Sequence, residues 1–207
     1  MASSIIHICV AKKINKFLNY DEKHLYLGTI APDISKLIGE TKHKSHFLKS
    51  IDSDIPNINA FLNKYQPYLK DPFVMGYLIH LYTDKIWFDD FITNKICNTT
   101  IKMLDGTIIG GDEEKAKFLI YNDYTNLNIQ LIDYYNLDLS LFYEQIPFPD
   151  DIIEEIPINK LQILINKTGE IIANSKERKS YLFDITDIVQ FIDMCTDEIA
   201  EKIKNII

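Results

Sequence analysis

The sequence predicts an all-α fold, a single-domain multi-helix bundle, and three observations carry that expectation. Apolar residues recur at three- and four-residue spacing through most of the 207 residues. Convincing runs of alternating apolar and polar residues are missing, and only short pieces such as 107–109 have strand character. With 46% hydrophobic and 25% charged residues, and only 7 Gly and 7 Pro, the chain can bury a core of its own rather than stay disordered or fibrous. Its length lies near the upper end of the ~100–200 residues usual for one domain.

The elements follow in order. Ser3 or Ser4 caps a first helix in which Ile6, Val10, Ile14, Phe17 and Leu18 form an apolar stripe, with His7 at its border. "YLGTIAPDI" places Gly28 and Pro32 before Asp33, a turn expected to deliver a carboxylate at the entry of a short helix. His24, beside Asp21 and Glu22, is expected in an exposed loop. The polar "KHKSHFL" carries His43, expected at the surface, and His46. A helix is expected over 57–65, and "KDPF" opens another running to about Lys95. On it Phe73, Tyr77, His80, Asp84, Trp87 and Phe91 share one face, and Gly76, one turn before His80, permits close backbone approach. "LDGTIIGGD", residues 104–112, is an irregular connection ending in the cap candidate Asp112. A long helix over 113–135 follows, then the Pro-punctuated "IPFPDD", a helical stretch from Ile158 to about Ala173, and the strongly periodic "DITDIVQFIDMCTDEIAEKI".

Several function classes fall on composition. A formal net charge of −8 argues against a sequence-independent grip on duplex nucleic acid, which needs clustered Lys and Arg. Cys9, Cys97 and Cys195 are widely spaced with no CxxC, so small buried hydrophobes are expected rather than a disulfide framework or a zinc finger. No apolar run nears the ~18 residues of a transmembrane span. The start "MASSIIHICVAKKI" is amphipathic and not a signal peptide, so a cytoplasmic protein is expected.

All five histidines, His7, His24, His43, His46 and His80, lie in the first 80 residues. A His and an Asp four apart on a helix point the same way, so His80 and Asp84 can reach one metal ion. An Asp on an aromatic face is costly unless paired or coordinated. The ordinary alternatives are an Asp84 pair with a lysine or backbone group, a core histidine at His80 or His7, and a helix cap at Asp33.

Taken as an ordered set, "SSIIH" with His7, "LGTIAPDI" with Asp33, "KSHF" with His46 and "GYLIHLYTD" with His80 and Asp84 resemble the zinc-dependent phospholipase C family, whose fold and metal geometry the S1/P1-type nucleases share. Family-like texture continues in "IYNDYTNLN" and "LFDITDIVQFI". The resemblance implies a helical fold of the phospholipase C/P1 nuclease type around a zinc cluster. Asp33, His46 and His80 would bind one zinc ion, His7 a second, and Asp84 would bridge them. Asp33 would also be the general base or the holder of the attacking water. The implied activity is hydrolysis of a phosphodiester or phosphomonoester, with a small phosphoester or a phospholipid as substrate. Trp87, Asp89, Asp90, Asp123 and Tyr124 are candidates for outer-shell or substrate contacts, against the plainer roles of solvated surface and helix packing.

Two departures from the family pattern limit the metal count. The three-zinc enzymes use His and Glu ligands downstream of HxxxD, whereas this chain has no histidine after His80 and carries Asp90, beside Asp89, six residues beyond Asp84, so at most two ions are expected. The secreted enzymes also use a processed N-terminal residue as a ligand, which "MASS" does not supply. Among competing readings, an HD-type phosphohydrolase falls because no His-Asp dipeptide occurs. Glu40 and His43 have the ExxH spacing of a di-iron bundle but no second copy. A three-histidine site using His7, His46 and His80 stays open, as does a helical protein that binds a metal, ligand or partner without turnover.

Overall fold

The computed structural model describes residues 1–207 and is predominantly helical. Helix α1 (Ser4–Leu18) is capped as its sequence predicts: the Ser3 hydroxyl accepts the Ile6 N–H at 3.3 Å. Asn19, in the left-handed region at φ 56°, ends it. Helix α2 (Glu22–Ile30) starts at the Asp21 cap, which corrects two expectations. His24 lies in the first turn of a helix, not in a loop, and Gly28 sits inside the helix rather than in a turn. The chain tightens into a 3₁₀ turn at Ala31–Asp33, and α3 (Ile34–Leu37) and α4 (Lys42–Ser45) are single turns beyond it.

Asn57 caps α5 (Ile58–Tyr65), and Asp71 caps α6 (Pro72–Ile86) with Pro72 in its first turn. Helical structure does continue toward Lys95, but its pitch changes at Trp87. A π-helical turn spans Trp87–Phe91 and a 3₁₀ turn spans Ile92–Asn94. The unexpected element is a three-stranded antiparallel sheet of β1 (Ile96–Cys97), β2 (Thr100–Lys102) and β3 (Ile108–Gly110), in the order β1-β2-β3. Strands of two or three residues are too short to display an alternation, and of these only Ile101 is fully buried. Helix α7 (Glu113–Tyr135) begins at the Asp112 cap, α8 (Leu161–Ala173) follows the proline-rich link, and α9 (Ile185–Lys204) opens with a capping box between Asp184 and Asp187.

One hydrophobic core of 50 buried residues runs through these elements. Its centre is the crossing of α2 over α6, which two glycines make possible. A Cβ at Gly28 would lie 2.1 Å from the Phe73 carbonyl oxygen, and one at Gly76 would lie 2.1 Å from that of Leu25. The two backbones therefore touch directly, and α1 packs against both helices. This close crossing sets the Thr29 carbonyl against His80 and positions the Ala31–Asp33 turn beside it. No helix is long and apolar enough to cross a membrane.

Candidate metal centre

Four elements converge on one buried point. Helix α1 contributes His7, the turn after α2 contributes Asp33, the residue after α4 is His46, and α6 contributes His80 and Asp84. The four residues other than Asp33 are at most 1% exposed, and the Asp33 side chain retains 14% exposure. Asp33 occupies the N-cap position of α3, yet its side chain caps nothing, and its Oδ1 has no hydrogen-bond partner. The helix-cap alternative for this residue therefore fails.

The ring tautomers follow from the neighbours. His80 Nδ1 faces the Thr29 carbonyl at 2.7 Å, and a carbonyl can only accept, so Nδ1 carries the hydrogen. His46 Nδ1 lies 3.0 Å from Ser45 Oγ. The Ser45 hydroxyl donates onward to Ser35 Oγ at 3.1 Å, and Ser35 donates to the Pro32 carbonyl at 3.4 Å, which leaves Ser45 a lone pair for the His46 N–H. Tyr77 OH donates to the Ser45 carbonyl and holds this segment in place. In the neutral rings both Nε2 atoms then carry lone pairs, and they face each other at 3.2 Å.

Two lone pairs that close repel unless a proton or a cation lies between them. One proton cannot satisfy the whole cluster. Both ring nitrogens of His7, Asp33 Oδ1 and Asp84 Oδ2 are also buried without a hydrogen-bond partner. Buried polar atoms are normally satisfied, and four left open within one cluster is the pattern of a ligand set. The spacings agree with that chemistry. A tetrahedral zinc with bonds of about 2.0–2.1 Å keeps its donor atoms roughly 3.3 Å apart. Here His80 Nε2 to Asp84 Oδ2 is 3.5 Å, His46 Nε2 to Asp33 Oδ1 is 3.6 Å and His46 Nε2 to Asp84 Oδ2 is 3.8 Å.

Two triads share His80: Asp33 with His46 and His80, and His7 with His80 and Asp84. Asp84 faces both sides, with Oδ1 at 3.5 Å from His7 Nε2 and Oδ2 toward His46 and His80. The backbone N–H of Ala2 donates to the same Oδ1 at 3.1 Å. The His7 and His80 rings stack with centroids 4.0 Å apart.

The electrostatics divide the histidines. Burial, helped by the neighbouring His80, pushes His7 down to about 4, and burial likewise lowers His46. Burial is the largest influence on His80 and opposes its charge, but Asp84, Asp33 and the Thr29 carbonyl together outweigh it and the net displacement is upward. Burial would raise both aspartates, yet contact with His46 and the charge of Lys36, 3.6 Å away, hold Asp33 below the usual carboxylate range. The histidines hold Asp84 well below it. Both carboxylates are therefore anionic, the state in which they bind cations.

The remaining candidates are placed elsewhere. Trp87 is buried among Phe91, Phe183 and Phe191 and serves packing. Asp89 and Asp90 are exposed. Asp123 is fully buried, but its carboxylate accepts the backbone N–H groups of Tyr181, Leu182 and Phe183, which makes it a clamp on the segment before α9 and not an outer-shell partner of a histidine. Tyr124 lines a cavity that also touches Asp33, and its hydroxyl donates to the Met1 carbonyl. His43 is exposed. His24 is bound to Asp21 and the Pro147 carbonyl, remote in sequence from the cluster's partners. Ser35, Ser45 and Tyr77 carry no sequence signal for their supporting roles, apart from Ser45 standing next to His46.

The chain matches no family model, no curated protein and no solved structure, so its functional assignment stands on this five-residue geometry.

Proposed function

We propose that the chain is a zinc-dependent hydrolase of phosphoester bonds, of the phospholipase C/P1 nuclease type. Asp33, His46 and His80 would hold one ion, His7 a second, and Asp84 would bridge them. The observation that carries this is the facing pair of His46 and His80 Nε2 atoms, ringed by buried, unpartnered atoms of His7, Asp33 and Asp84. Zinc bound there supplies Lewis acidity and positive charge for a phosphoester displacement.

The protein's own groups divide the remaining work. Thr29 and Ser45 hold the imidazoles with Nε2 directed at the centre. Asp33, which lines a cavity of about 380 Å³, is the group that would meet a substrate. Because its carboxylate stays ionised far below neutrality it is a weak base, which favours orienting a water through an accepted hydrogen bond over removing its proton. The sealed His7, His80 and Asp84 triad supports a second reading for that half of the cluster, a structural metal staple without turnover.

Elemental mass spectrometry of the purified protein and of His80→Ala tests the proposal, followed by assays with p-nitrophenyl phosphate and bis(p-nitrophenyl) phosphate. One to two equivalents of zinc, lost in His80→Ala together with hydrolysis, is the expected result. Full metal content in His80→Ala would sink the site assignment. Zinc without hydrolysis of either compound would leave the staple.

A further inference from the structure

A cavity of about 380 Å³ lies between α1, α3, α7 and α8, and Asp33 and Lys36 stand at one side of it. We propose that it takes the apolar group of a single-chain alkyl or aryl phosphate, with the phosphate held at Lys36 beside Asp33. This rests on the zinc-hydrolase proposal above, which supplies the phosphate chemistry.

The cavity's composition points to an apolar group. Leu37, Leu164, Ile171 and Ile172 line it, and Leu37 and Ile171 are 37% and 48% exposed, large apolar side chains left open to solvent. Part of its polar lining is already engaged: Thr125 Oγ1 donates to the Tyr121 carbonyl, and Ser3 Oγ donates to Asn128 Oδ1. Reading a nucleobase requires donors and acceptors converging on its edge, and the Thr125 and Ser3 hydroxyls direct their hydrogens at the protein instead. The volume lies at the small end for ligand pockets, enough for one slim group and not for the two chains of a membrane lipid.

The charge pattern places the phosphate. Lys36 is the lysine in contact with the cluster, and its ion pair is with Asp33. Lys167, the other cavity lysine, is paired with Glu170 at 3.0 Å. Asp33 committed to a cation leaves the Lys36 ammonium short of a counter-charge, which a phosphate oxygen supplies.

Calorimetric titration of the zinc-loaded protein with inorganic phosphate, then ethyl, butyl and hexyl phosphate, tests this. Affinity should climb by up to about fourfold per added methylene. Ile171→Asn, a neutral polar change at a half-exposed position, should flatten that climb while leaving zinc content and phosphate affinity as in the wild type. Lys36→Met should weaken every member of the series, phosphate included, by about tenfold or more at unchanged zinc content. A flat series with phosphate still bound overturns the cavity proposal and leaves the hydrolase standing, as does a wild-type slope in Ile171→Asn. Zinc-loaded protein that binds no phosphate overturns both.

Discussion

Asp84 and Asp123 are both fully buried, and they illustrate two uses of a carboxylate. Asp123, on α7, is saturated: Oδ2 accepts from Leu182 at 2.6 Å and from Phe183 at 3.1 Å, and Oδ1 accepts from Tyr181 at 2.9 Å. Those N–H groups precede α9 and have no helical partners, so the carboxylate ties two distant parts of the chain together. Asp84, on α6, has the same burial and the opposite environment. One oxygen takes a single N–H from Ala2, and the other faces two imidazoles with no hydrogen bond at all. Burial alone therefore does not mark a candidate site, whereas several open valences converging on one point do; Tyr26, Tyr135 and Thr196 each leave a single buried oxygen unpartnered outside the cluster.

The sharpest test of that contrast is Asp123→Ala. It strands buried N–H groups, so unfolding free energy in urea should fall by about 4 kcal/mol, with zinc per folded molecule unchanged. Asp84→Ala should show the reverse emphasis, loss of bound zinc exceeding any loss of metal-free stability. A zinc-depleted but stable Asp123→Ala protein would erase the distinction.

Acid should bring out the next effect, in metal-free protein. His7 has a folded value near 4, below the ordinary 6.5, so the unfolded chain takes up a proton over that window and the folded chain does not. Stability should fall as pH drops from 6.5 toward 4, by about 3 kcal/mol from this residue. Comparing denaturation curves of the wild type and His7→Asn across the window isolates it. Parallel pH slopes in the two proteins would remove His7 from the set of residues buried as neutral rings.

Smaller still is the effect expected from Ser45→Ala, which leaves all five cluster residues intact but deletes the acceptor of the His46 Nδ1 hydrogen. Zinc affinity in a chelator competition should weaken by about 10–100-fold. His46 ring nitrogen shifts in NMR should report a changed tautomer balance, and Ser45→Thr should restore both. At the bottom of the scale, His24→Ala breaks contacts with Asp21 and the Pro147 carbonyl. It should cost at most about 1 kcal/mol and leave metal content untouched, since this histidine serves a local tether.

The cluster was more legible in the sequence than its surroundings. His80 and Asp84 share a helix face because four residues make about one turn, and His46 and Asp33 sit beside motifs that can be quoted. The helices at 58–65, 113–135 and 185–204 are readable from periodicity; Asp112 caps as expected, and Asn57 and Asp184, the first residues of their periodic stretches, prove to be caps as well. Helix α2 escaped because it is buried over most of its length and so has no polar face to mark its period. The three-stranded sheet escaped because its strands are too short. Asp123, a candidate for an outer-shell contact, could not be assigned for a third reason: its backbone partners lie some 60 positions away.

By itself the sequence determined the helical class, the caps at Ser3 and Asp112 and the identity of the metal-capable residues, because these depend on contacts a few positions apart. Tertiary structure alone decided which of the chain's aspartates are satisfied, which ring nitrogens carry hydrogen, and where the cluster meets a cavity. Those outcomes depend on approaches between distant segments. One of these is the crossing at Gly28 and Gly76, which brings α2 against α6 and sets the Thr29 carbonyl against His80.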